Sequence, residues 1–224
     1  MKVLLFLLSF GSLNACEVNP IDSTKENVMQ KNSIVDIVSK NDLKAVKSAL
    51  DQGADINSQD KDGRSLLLIA TVKKYIEMAN LLVSYKADVN LQDHQSDSAF
   101  LYAGDSGQTE LVKLFLKNGA RFDIFNRYNG TALIPACERG HTETVKILVT
   151  TKGFPVNHVN RLGWTALMEA VILGDGSGKY QEIVSLLKEN GADLNIPDQY
   201  GKIPLQHAEY LGFKEIIEIL KPKN

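Results

Sequence analysis

The sequence predicts an all-α fold: a solenoid of about six helix-turn-helix units over residues 34–224, preceded by an export segment and a tether. Two recurring phrases and one periodicity predict it. Ala70, Ala103, Ala136, Ala170 and Ala208 repeat at spacings of 33, 33, 34 and 38 residues, each closing a related phrase such as Gly63-Arg-Ser-Leu-Leu-Leu-Ile-Ala70 or Gly163-Trp-Thr-Ala-Leu-Met-Glu-Ala170. A second phrase keeps the same register: Gly53-Ala-Asp-Ile-Asn57, Lys86-Ala-Asp-Val-Asn90, Gly119-Ala-Arg-Phe-Asp123 and Gly191-Ala-Asp-Leu-Asn195. Between the phrases lie apolar residues at helical spacing, as in Leu111, Val112, Leu114, Phe115 and Leu116, which bury one face of a helix. A period of this length marks units that bury their apolar faces only by stacking.

The first element is an address. Residues 1–15 read as an export signal, because Lys2 precedes an apolar run from Val3 to Phe10 that is too short to span a bilayer as a helix. The segment ends in Leu13-Asn14-Ala15-Cys16, which resembles the lipobox of bacterial lipoproteins. The resemblance implies cleavage before Cys16, acylation of its sulfur and of its new amino group, and attachment to a membrane through that lipid anchor alone. Plain secretory cleavage after Ala15 is the alternative. Several acyl chains, at about 0.8 kcal/mol per buried CH2, hold a protein firmly. Glu17 follows in place of the Asp that marks inner-membrane retention, so the expected location is the bacterial cell envelope, on the outer membrane facing the periplasm. Residues 16–33 are polar and read as a flexible tether. With Cys16 lipidated, Cys137 has no disulfide partner, and the body must be stable without a staple.

Six units then follow, at about 34–57, 58–90, 91–123, 124–157, 158–195 and 196–224, the first and last serving as caps. Ser65, Ser98, Thr131 and Thr165 are placed to cap the first helix of their units by accepting a backbone N–H. Gly107, Gly140 and Gly212 permit the turn between the two helices, and Gly53, Gly119 and Gly191 end the second. The fifth unit carries extra residues at 174–181, read as a loop insertion or, less simply, a partner contact. Lys221-Pro222 stops the last helix.

These phrases resemble the ankyrin repeat, whose pattern runs Asp-x-x-Gly-x-Thr-Pro-Leu-His-x-Ala, then Gly-His, then an amphipathic helix ending Gly-Ala-Asp-x-Asn. The likeness covers residues from Ile34 to the C-terminus. Leu66, Ala99, Ala132 and Ala166 replace the family's Pro, and Lys86 replaces a Gly. The resemblance implies a non-enzymatic protein-binding module that grips its partner with loop tips and the concave face of the first helices.

A net charge of −2 offers no basic field for nucleic acid. Motifs of chemistry fail on inspection. Gly174-x-Gly176-x-Gly178-Lys179 lacks the leading Gly and the following Ser or Thr of a phosphate loop, since Leu173 and Tyr180 stand there. Gly104-Asp105-Ser106-Gly107 lacks the closing Gly of a nucleophile elbow. His94, His141, His158 and His207 are isolated, and Cys137 reads as a buried inert thiol. No catalytic residue, metal or cofactor is therefore expected.

Carrying the family's variable positions over by register gives a set of partner-facing positions that includes Asp97, Asp105, Glu138 and Leu173, and from that set the expected partner-binding residues are Arg64, Arg127, Tyr128, Arg139, Arg161, Leu162, Trp164, Tyr200, Lys202, Tyr210 and Leu211. Trp164, the single Trp, is the expected anchor, because Trp, Tyr and Arg dominate interface energetics; packing against a neighbouring tip is its other reading. Lipid-anchored ankyrin proteins facing the periplasm resemble immunity proteins that block secreted antibacterial effectors such as type VI secretion lipases. The expected partner is accordingly another protein, a secreted effector or envelope enzyme. A helper of a periplasmic antioxidant enzyme such as catalase is the alternative.

Overall fold

The computed structural model describes residues 33–222. Among them lie twelve helices: α1 (Ile34–Ser39), α2 (Leu43–Asp51), α3 (Leu66–Val72), α4 (Ile76–Ser84), α5 (Ala99–Asp105), α6 (Thr109–Lys117), α7 (Leu133–Glu138), α8 (Thr142–Thr150), α9 (Ala166–Ile172), α10 (Gly178–Glu189), α11 (Pro204–Leu211) and α12 (Lys214–Leu220). They form six antiparallel pairs, one per unit. First helices stack in the order α1, α3, α5, α7, α9, α11, and second helices stack from α2 to α12 in the same way. One continuous apolar core runs between the two layers, from Val38 to Leu220. The expected export segment, Cys16 and the expected tether up to residue 32 lie outside the described residues.

Local chemistry explains where the first helices of units two to five start. Ser65, Ser98 and Thr165 accept the N–H of Leu68, Leu101 and Met168 at 3.1, 3.2 and 3.2 Å, the N-cap bond their positions predict. Thr131 departs from that expectation. Pro135 has no N–H to close the first helical bond, which Ile69, Tyr102 and Glu169 make to Ser65, Ser98 and Thr165 at 2.9, 2.9 and 3.0 Å. Helix α7 therefore opens one residue later, behind Ala132, and the buried Thr131 hydroxyl has no hydrogen-bond partner.

Three left-handed backbone positions punctuate each complete unit, one at the loop tip and one after each helix. Ser96 (φ 64°), Gly107 (φ 66°) and Gly119 (φ 89°) hold them in the third, and Gly63 (φ 79°), Lys74 (φ 57°) and Lys86 (φ 67°) in the second. A side chain in that region is disfavoured by about 1 kcal/mol, so the stacking overrides the local preference there.

Side-chain ladders tie the units together. The closing Asn of the second phrase accepts a backbone N–H from the next unit: Asn57 from Asp88 at 2.9 Å, Asn90 from Arg121 at 2.8 Å, and Asn157 from Asp193 at 2.8 Å. Asp123 occupies that place in the third unit and pairs with Arg121 instead, at 2.7 Å. At the C-terminus, the Lys188 ammonium caps α12 by donating to the carbonyls of Ile219 and Lys221.

The fifth unit resolves its extra residues as a short bend followed by helix. Residues 178–181, expected in a loop, form the first turn of α10, which runs for 12 residues where the second helices of units two to four run for 9. Tyr180 is the reason: its ring is buried and its hydroxyl donates to the Glu138 carbonyl at 2.8 Å, tying the insertion to the preceding unit.

Candidate protein-binding groove

Each loop tip is closed by the same device. The side-chain Oδ1 of Asp60, Asp93, Asn126, Asn160 and Asp198 accepts the backbone N–H groups two and four residues on, at 2.8–3.1 Å. These boxes hold the tips rigid and leave the side chains between the closing residues to project. In units three to five, tips and first helices enclose a groove of about 610 Å³.

The groove's walls are polar and cross-linked. Arg127 on the fourth tip reaches back to Asp97 on the third at 3.3 Å, and its guanidinium lies 5.0 Å from the Tyr128 ring centroid. Burial pushes the Asp97 carboxyl up, and Arg127 pulls against that shift. Arg139, just past α7, bridges to Asp105 on α5 at 3.2 Å. Tyr102, Pro135, Leu162 and Leu173 supply apolar surface.

The floor holds Glu169, a carboxylate only 5% exposed. Asn160 Nδ2 donates to its Oε1 at 2.8 Å. Burial and then the neighbouring Glu138 carboxylate push the Glu169 carboxyl up to about 7, against the pull of the Asn160 bond. The next unit shows the origin of this pair. There Asp198 closes the tip and His207, nine residues on, bonds to its free oxygen at 2.8 Å. In the fifth unit Asn160 and Glu169 occupy the same two places with donor and acceptor exchanged.

The expected partner-binding residues divide. Arg127, Tyr128, Arg139 and Leu162 line the groove. Arg64 is held in its own tip by Asp60 at 2.7 Å and Asp62 at 3.3 Å. Arg161 is exposed outside the lining. Trp164, the expected anchor, is half-buried and does not line the groove. Tyr200 and Tyr210 are the most exposed large apolar side chains described, at 80% and 84%, with Lys202 Nζ 5.7 Å from the Tyr210 ring and Leu211 exposed beside them. They project from the last unit, beyond the groove.

Glu169, Asn160 and Tyr102 also line the groove but are absent from the partner-facing residues expected from the sequence. A signal for Glu169 lies in the register. The residue before the recurring Ala reads Ile69, Tyr102, Pro135, Glu169 and His207, so one row of the stack holds an acid among mostly uncharged groups.

The histidines have local partners. His158 stacks on Phe125 at 4.3 Å and bonds to the Asn129 carbonyl at 2.6 Å, and His94 packs against Gly63. Burial lowers the affinity of His141 for a proton. Cys137 is fully buried, and burial raises its thiol well above the ordinary range. Among the described residues, no three His, Cys, Asp or Glu side chains converge as metal ligands would.

Comparison with known proteins places this architecture. A family model of ankyrin repeats, three copies long, matches residues 34–126 and again 100–198. The ankyrin repeat protein YahD of Escherichia coli is 51% identical over 65 residues, which is 29% of this chain and 32% of that protein, so the likeness takes in about a third of its length. A crystallised ankyrin repeat domain from Acinetobacter baumannii is 45% identical, covers 84% of this chain and 95% of its own, and superposes with a TM-score of 0.81. The ankyrin repeat protein EF0377 is 40% identical over 86% of this chain and 98% of its own, with a TM-score of 0.82. The chain belongs to the ankyrin-repeat family.

Proposed function

We propose that this chain is a protein-binding module of the bacterial envelope, and that it acts as an immunity protein which binds and blocks a secreted antibacterial effector. The observation that carries the binding reading is the groove of units three to five. Rigid tips, two inter-unit ion pairs and exposed Tyr128 and Leu162 present a preformed surface with a mixed aromatic and charged character. Interfaces favour aromatic and Arg anchors on a preorganised frame. The envelope part of the reading rests on the export segment and on Cys16 in its lipobox-like setting. Blocking requires only that the partner's active-site mouth be occluded, which a concave stack does without chemistry of its own.

The test is protection. The product of the gene beside this one, directed to the periplasm, is expected to arrest growth, and co-expression of the full chain to restore it. Tyr128→Ala with Leu162→Ala is expected to abolish protection while leaving the melting temperature unchanged. An adjacent product that is harmless, or whose toxicity the chain leaves untouched, refutes the immunity role. A partner that binds the double variant as tightly as the parent refutes the groove.

A further inference from the structure

Building on the reading of the groove as a protein-binding surface, we propose that Glu169 and Glu138 form a subsite for an arginine side chain of the partner. Four carboxylates line the groove. Asp97 and Asp105 are neutralised by Arg127 and Arg139, whereas Glu138 and Glu169 have no cationic partner among the described residues. Glu169 is nine-tenths buried, yet only one of its oxygens is satisfied. Asn160 Nδ2 holds Oε1 at 2.8 Å, and Oε2 has no hydrogen-bond partner among the described residues.

Asn160 is itself fixed, because its Oδ1 accepts the N–H groups of Leu162 and Trp164. The carboxylate is thus aimed by a rigid tip. A largely buried carboxylate whose one open oxygen faces the groove, with a second acid beside it, is complementary to a donor cation, and the attraction strengthens as a docking partner displaces water. The walls select guanidinium over ammonium. Tyr102, Pro135 and Leu162 offer flat or apolar surface. A guanidinium is planar and weakly hydrated and lies against such surface readily, while an ammonium retains its water. The exchange of Asp–His in the sixth unit for Asn–Glu in the fifth converts a self-satisfied pair into one with a vacant acceptor.

The probe is N-acetyl-arginine N-methylamide, with its neutral twin N-acetyl-citrulline N-methylamide, titrated at pH 8 into the isotope-labelled full chain and followed by NMR. The expected result is saturable movement of the Asn160 side-chain amide and the Glu169 backbone amide with the arginine probe and none with citrulline. Glu169→Gln, which keeps an oxygen for Asn160, is expected to weaken the probe at least about tenfold, the effect of losing one charge-assisted bond. Glu138→Gln is expected to weaken it by less. Equal shifts with both probes, or full affinity in a folded Glu169→Gln variant, overturns the proposal. A protein partner whose groove binding survives Glu169→Gln also overturns the subsite, and leaves the protein-binding reading standing.

Discussion

Replacing Glu169 by Gln should stabilise the protein, and increasingly so as the pH rises. The folded chain holds this carboxyl near 7 against an ordinary value of 4.5. A raised carboxyl binds its proton more tightly in the folded state than in the unfolded one, so folding is disfavoured wherever the group must ionise. At about 1.4 kcal/mol per tenfold change in proton affinity, the full penalty is about 3 kcal/mol. It is absent well below pH 4.5, grows between about 4.5 and 7, and levels off near pH 8. Gln cannot ionise, and its amide oxygen still accepts from Asn160, so the substitution removes the penalty without orphaning that donor. Urea denaturation of both proteins from pH 5 to pH 8.5 measures it. The advantage of the variant is expected to be under about 1 kcal/mol at pH 5 and about 3 kcal/mol at pH 8.5. A constant difference across that range, or a variant less stable at pH 8.5, would refute the account of Glu169 as a buried titrating acid. A stability penalty at a concave-face position fits a residue kept for binding rather than for the fold.

Three further substitutions test the packing. Thr131→Val removes a buried hydroxyl that has no partner and is expected to be neutral or slightly stabilising, whereas Thr165→Val, which strips the N-cap of α9, is expected to cost about 1 kcal/mol; equal effects in chemical denaturation would contradict the contrast drawn between α7 and α9. Gly104→Ala places a methyl 2.6 Å from the Ala132 Cβ and 2.8 Å from its carbonyl oxygen, so α5 and α7 must separate. A loss of about 1–3 kcal/mol follows, read as a lowered thermal midpoint, and an unchanged midpoint would mean the two helices are less tightly apposed than described.

Much of the fold was legible because the repeat states its pattern several times. Ala70, Ala103, Ala136, Ala170 and Ala208 all lie fully buried between stacked first helices, as their shared spacing implied. Thr131 misled because a cap read from one residue type ignores a neighbour four places on, and Pro135 withdraws the N–H on which the first turn depends. The insertion misled for a related reason. Glycine-rich sequence suggested a loop, but burial of Tyr180 and its bond to the Glu138 carbonyl outweigh the helix-breaking tendency of Gly178. The site was less legible. Of the residues that register proposes for partner binding, Arg127, Tyr128, Arg139 and Leu162 line the groove, whereas Trp164 is half-buried outside its lining. Glu169 was passed over because, read alone, it is an ordinary acid on a short helix.

The sequence by itself determined the family, the number of units and the helix pairs, because each depends on residue types at fixed spacing along the chain. Only the tertiary structure decided which polar groups are satisfied and which are not. That Asp97 and Asp105 are neutralised by arginines from the following unit depends on distances between segments some 30 residues apart, and that Glu169 is largely buried with an open oxygen depends on the units stacked around it. Burial sets the strength of a charge's interactions, and burial belongs to the stack rather than to any one repeat.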